Sequence, residues 1–113
     1  MRVVNTTRNV TLADRANLAS GPWRRMVGLL GRDHLAEGEG LILRPCSGVH
    51  TCFMRFPIDV AFLDKRGRVV RLYPNMVPFR FSPPVFGAHS VVELPAGILH
   101  RSGTDRGDYL VVA

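Results

Sequence analysis

A chain of 113 residues, 46% of them apolar, has the length of one domain and enough hydrophobic side chain to bury a core, so one domain over residues 1–113 is expected. No run approaches the roughly 18 to 20 consecutive apolar residues of a membrane-spanning helix, and the opening residues lack an export signal's apolar stretch, which makes the cytoplasm the default address. The formal net charge of +6 is spread along both halves rather than gathered in an arm, so it leaves an acidic partner open without requiring one.

In chain order, Arg2 to Asn5 and Asn9 to Ala13 read as an opening pair of strands, with Val10 and Leu12 alternating against Thr11. The clearest helix follows. Ser20 can cap it, Pro22 suits its first turn, Trp23, Met26, Val27 and Leu30 recur at spacings of three and four, and Gly31 supplies the stop. Arg24, Arg25 and Arg32 lie on or beside its other face, where a solvated polar surface accounts for them. Past the glycine-rich Glu37 to Gly40, the short apolar Leu41 to Leu43 and then Gly48 to Met54 read as strands ahead of Pro57.

The strongest local pattern is a hairpin in which Ile58 to Leu63 and Arg68 to Tyr73 flank Asp64-Lys65-Arg66-Gly67. In its first arm Ile58, Val60 and Phe62 share one face and Asp59, Ala61 and Leu63 the other, so Asp59 points away from the β-branched and aromatic side. Pro74, Pro78, Pro83 and Pro84 then exclude a central strand over most of their stretch and leave a loop with an edge strand. His89 to Leu94 is strand-like, Pro95 to Arg101 suits a short helical turn stopped by Gly103, and Asp108 to Val112 reads as a closing strand. The fold class is therefore mainly β, in the α+β sense, with one main helix and one short helical turn.

Reactive side chains are densest from Cys46 to Cys52, around His50. The spacing C-x3-H-x-C offers three zinc ligands without the second half that a structural site needs, so no metal is expected. A Cys–His nucleophile has no recognisable motif here, and free thiols, with Cys52 as a small core residue, are the plainer reading. Among the carboxylates, Asp59, Asp64 and Glu93 would serve as an acid and base pair if folding brought two of them together. The hairpin turn accounts for Asp64, and Glu93, between Val92 and Leu94, reads as an outward-facing strand residue. Asp59 has no such account. No phosphate-loop, dinucleotide, esterase, zinc-protease or EF-hand pattern occurs, and no cofactor is expected.

Gly28-Leu29-Leu30-Gly31-Arg32, Glu39-Gly40-Leu41, the run His50 to Asp64 and Glu93-Leu94-Pro95-Ala96-Gly97 occur in that order. Taken together they resemble the family catalogued as domain of unknown function 192, over about Trp23 to Leu110. The resemblance implies a small β-rich domain, a curved or barrel-like antiparallel sheet with a helix packed against it. It implies no established activity and carries over no catalytic residue, leaving His50, Met54, Pro57 and Asp59 as motif positions only.

Three functional readings follow. The first is a binding or interaction module for an unknown ligand or protein partner, with a groove presenting Phe79, Phe81 and Phe86 near Asp59 and His50, and with Met54 and Glu93 as further ligand-site candidates. The second is a hydrolase or transferase on a small polar or sugar-like substrate, with Asp59 as acid or base and His50 as its partner. The third is nucleic-acid binding through the interleaved Phe79-Arg80-Phe81. If His50 and Asp59 are both buried and satisfied by backbone hydrogen bonds, the motif is architectural and function must be sought on the surface.

Overall fold

The computed structural model describes residues 1–19, 34–45, 56–78, 80 and 82–113. Its elements are β1 (Val3–Asn5), β2 (Val10–Ala13), β3 (Arg15–Ala19), β4 (Glu39–Leu43), β5 (Ile58–Leu63), β6 (Val69–Met76), β7 (Ser90–Pro95), α1 (Ile98–Ser102) and β8 (Leu110–Val112). The helix read from Ser20 to Gly31 and the strand read from Gly48 to Met54 lie outside the described residues. No helix among the described residues is long and apolar enough to cross a membrane.

The strands form a three-stranded sheet, ordered β2-β1-β8, and a five-stranded sheet, ordered β3-β4-β7-β5-β6. Among the described residues all strand pairings are antiparallel except β3 with β4. The expected barrel-like closure is not found, since among the described residues each sheet keeps two edges. At the start of β6 the outer edge is already taken. Val69 N–H donates to the Asp108 carbonyl at 2.8 Å, Gly107 N–H to the Val69 carbonyl at 2.8 Å, and Arg68 bridges to Tyr109. Further along, Pro74 lacks an N–H to offer a neighbouring strand.

β5 and β7 pair along their full lengths, and every residue of both is buried. Two apolar layers result. One face gathers Ala61, Leu63, Val92 and Leu94 with Ile42, Val3, Leu12, Leu110 and Leu99, and so lies against the three-stranded sheet. The other gathers Ile58, Val60, Phe62, Val91, Leu41 and Leu43, with Phe62 edge-on to Tyr73 at a centroid distance of 5.9 Å. Strands covered on both faces need no polar alternation, which is why these two read as near-continuous apolar runs.

A buried polar knot ties the first sheet to the C-terminal segment. The Asn5 side-chain amide donates to Thr104 Oγ1 and to Asp108 Oδ2, both at 3.0 Å, while Arg8 Nε donates to the same Asp108 oxygen at 2.7 Å. Burial pushes the Asp108 carboxyl up, but hydrogen bonds from Arg8, Asn5 and the Asp105 N–H outweigh it, and the group lies below its usual value.

The hairpin tip forms as its sequence predicts. Asp64 Oδ1 accepts the N–H groups of Arg66 at 2.8 Å and Arg68 at 3.0 Å, and Gly67 takes φ 86°. Packing adds a second reason for glycine at this position, because a Cβ there would lie 2.6 Å from the Leu110 carbonyl oxygen. Gly67→Ala should therefore lower stability by more than about 1 kcal/mol, read as a fall in the urea midpoint. An unchanged midpoint would show that tip and closing strand relax freely.

Candidate functional site

Asp59 is wholly buried in β5. The β5–β6 register slips beside it, since Ile58 pairs with Met76 but Val60 with Tyr73, leaving Pro74 and Asn75 opposite one residue. The carboxylate repairs this bulge. Its Oδ1 accepts the N–H of Asn75 at 2.8 Å, a residue held at φ 52°. Its Oδ2 accepts the N–H groups of Gly97 at 3.1 Å and Leu99 at 2.8 Å. Gly97 is the N-cap of α1 and has no side chain to cap with, so a strand carboxylate supplies what a Ser or Asp cap would otherwise provide. Both oxygens are occupied by backbone amides.

Glu93 departs from its sequence reading. It is only 5% exposed rather than outward-facing, because β7 is a central strand with β4 and β5 on its flanks. It pairs with Val60 and Leu41, whereas Asp59 pairs with Leu94. Cross-strand partners share a face and successive residues alternate, so the two carboxyls project to opposite sides of the sheet and cannot flank one substrate. Burial pushes the Glu93 carboxyl up to about 7, and no hydrogen bond to it forms among the described residues.

His50, Met54, Phe79 and Phe81, like Cys46 and Cys52, lie outside the described residues. Among the described residues no group of three His, Cys, Asp or Glu side chains could hold a metal ion. Phe86 is described and fully exposed, on a turn closed by the Ala88 N–H to the Val85 carbonyl at 3.1 Å. That turn adjoins the far end of β5, where the His89 N–H donates to the Leu63 carbonyl at 2.8 Å. Four strand residues, about 13 Å, separate it from Asp59, so Phe86 does not share a groove with that residue.

What gathers beside Phe86 is a cationic end of the molecule that the sequence reading did not single out. Two clefts flank the β5–β6 turn. One, about 390 Å³, is lined by Asp64, Lys65, Arg66, Gly87, Ala88 and His89. The other, about 330 Å³, is lined by Arg68, Val69, Val70, Asp105, Arg106 and Gly107. Lys65, Arg66, Arg68 and Arg106 are exposed, and the ion pairs among the described residues, Arg8 with Asp108 and Arg15 with Asp14, engage none of them. The hairpin signal alone could have flagged the first three, but Arg106 joins them only through the fold.

Comparison with known proteins gives the lineage. The sequence model described as "Uncharacterized ACR" matches residues 3–112. The chain belongs to the domain of unknown function 192 family. Its similarity extends to a UPF0127 protein of Pyrococcus furiosus, 32% identical over 96% of this chain and 95% of the relative, and to one of Thermococcus sibiricus, 30% identical over 94% and 71%. A crystal structure of a Novosphingobium aromaticivorans protein of unknown function superposes with TM-score 0.88 at 25% identity, covering 99% of this chain and 84% of that one. A Sinorhizobium meliloti protein described as a candidate transcription regulator superposes with TM-score 0.80 at 26% identity, covering 97% and 89%.

In this domain of unknown function 192 chain, Asp59→Ala strands three amide donors and should cost at least about 3 kcal/mol in urea unfolding. Asp59→Asn, which turns an NH2 toward one of them, should cost less than Asp59→Ala but still be measurable. For Glu93 the folded pKa is raised, so its contribution is fully present below about 4.5 and is lost as pH rises through about 7. The loss should amount to about 3 kcal/mol. Subtracting the pH profile of Glu93→Gln from that of the natural chain isolates it, and parallel profiles would show that the carboxyl is not desolvated.

Proposed function

We propose that the chain is a binding module for an anionic partner, presented at the β5–β6 turn, and not an acid–base catalyst built on Asp59. The observation that carries this reading is the wholly exposed Phe86 beside the cleft lined by Lys65, Arg66 and His89. A large ring left fully in water beside cations that form no ion pair among the described residues supports a contact surface, through the combination of the two rather than the exposed ring alone. Asp64, the acid within that cleft, directs Oδ1 to the amides of Arg66 and Arg68.

The hydrolase or transferase reading asks Asp59 to reach a substrate and move a proton. Three backbone donors on its two oxygens and the absence of any exposed surface argue against that role. We assign Asp59 to the scaffold. The rigid platform this gives is what a binding surface requires, since contact residues on a fixed turn lose little freedom when a partner docks.

The test is retention on a heparin column, compared at equal net charge. The Lys65→Glu/Arg66→Glu variant should elute at clearly lower salt than an Arg2→Glu/Arg15→Glu variant, whose changes lie on the strands β1 and β3 side of the fold. Identical elution of the two variants would reduce the cationic end to general surface charge and defeat the proposal.

A further inference from the structure

We infer that the partner at this cationic end is single-stranded nucleic acid, an inference that rests on the anionic-partner reading above. The cations do not form one flat patch. Lys65 and Arg66 line the cleft on one flank of the turn, and Arg68 and Arg106 the cleft on the other. A planar lipid surface or a stiff duplex meets such a ridge on one side at a time, whereas a flexible strand can follow the backbone of cations from one cleft into the next.

Rings accompany the charges on both flanks. Phe86 is fully exposed immediately before Gly87, which lines the first cleft, and Gly87 has open space around it. Tyr109 is 43% exposed and bridges to Arg68, which lines the second. Cations that track phosphates, with rings on which bases stack, are the two components of sequence-tolerant single-strand recognition. Three of the four cations are arginines, whose planar donor fork suits phosphate oxygens.

The nearby acids, Asp64 and Asp105, line the same two clefts and offset part of this charge, leaving four cations against two carboxylates. Asp64 is turned onto the amides of its own turn, and Asp105 Oδ1 accepts the Arg106 N–H at 2.8 Å. The platform is held from behind as well, since the Leu110 N–H donates to the Gly67 carbonyl at 2.9 Å and the 107–109 segment pairs with the start of β6. The side chains of the tip are therefore presented on backbone that is fixed on both sides.

Fluorescence anisotropy on the full chain tests this, using labelled oligothymidylate of about twelve nucleotides, within the usual single-strand site size. The comparison arms are an abasic phosphodiester of equal length, a duplex, and phosphatidylglycerol vesicles. The thymidylate should bind tightest, with affinity falling steeply as salt rises. Lys65→Glu/Arg66→Glu and Arg68→Glu/Arg106→Glu should each weaken it by more than about tenfold. Phe86→Ala, at a position with no packing to lose, should weaken thymidylate by about tenfold and leave the abasic strand unchanged. If thymidylate and abasic strand bind alike and Phe86→Ala has no effect, the anionic-partner reading stands and the nucleic-acid inference fails. If duplex or vesicles bind more tightly than thymidylate, the inference is overturned in their favour, and if nothing binds, both readings fall.

Discussion

The fold turns on one buried carboxylate. Asp59 sits in the central hairpin where a regular ladder would have opposed it with a single residue, and it meets the bulge of Pro74 and Asn75 instead. By accepting one amide from β6 and two from the first turn of α1, it joins a β-bulge and a helix start that are far apart in sequence. A carboxylate is suited to this work because it is an acceptor at both oxygens, and buried backbone donors without acceptors are costly. The motif Pro57-Ile58-Asp59 and the motif Glu93 to Gly97 thus belong to one structural device, with the accepting carboxylate on one and the donating amide on the other.

This assignment is why the proposed function lies outside the core. A residue that must stay in place to satisfy three donors makes a poor proton shuttle, and Glu93, its neighbour in register, faces the opposite layer. The core carries two ionisable groups side by side along the sheet and uses neither in common. Exposed chemistry is instead found where the central hairpin ends, because the turn places Lys65, Arg66 and Arg68 in solvent while two later segments, around His89 and Arg106, close against it. In the proposed reading the interior supplies rigidity and the rim supplies contact, a division common in β scaffolds.

Much of the architecture was legible from local pattern. The opening strand pair, the hairpin with its Asp64 and Gly67 chemistry, the short helical turn ended by Gly103 and the closing strand all appear where alternation and turn residues put them, while the second hairpin arm, expected to end at Tyr73, runs on as an edge strand through Pro74 to Met76. β3 was not read, because Arg15–Ala19 carries two small alanines and little β-branched signal, and its parallel pairing with β4 comes from tertiary packing. Glu93 was misread for a related reason, since polar residues between apolar ones look solvent-facing until the strand is known to be central. The family resemblance, carried by residues spread from Gly28 to Gly97, is matched by similarity over residues 3–112.

By itself the sequence determined a mainly β chain, the position of its hairpin, and the singular character of Asp59, because these depend on periodicity two, on turn residues and on a charge placed in an apolar run. Only the tertiary structure decided that the sheets stay open, that Asp59 caps a helix 40 residues away, that Glu93 is buried, and that four cations and two rings share one end of the molecule. The reason is that strand order, and with it which strand is central and which loops meet, is set by pairing between distant segments, on which alternation along a single strand carries no information.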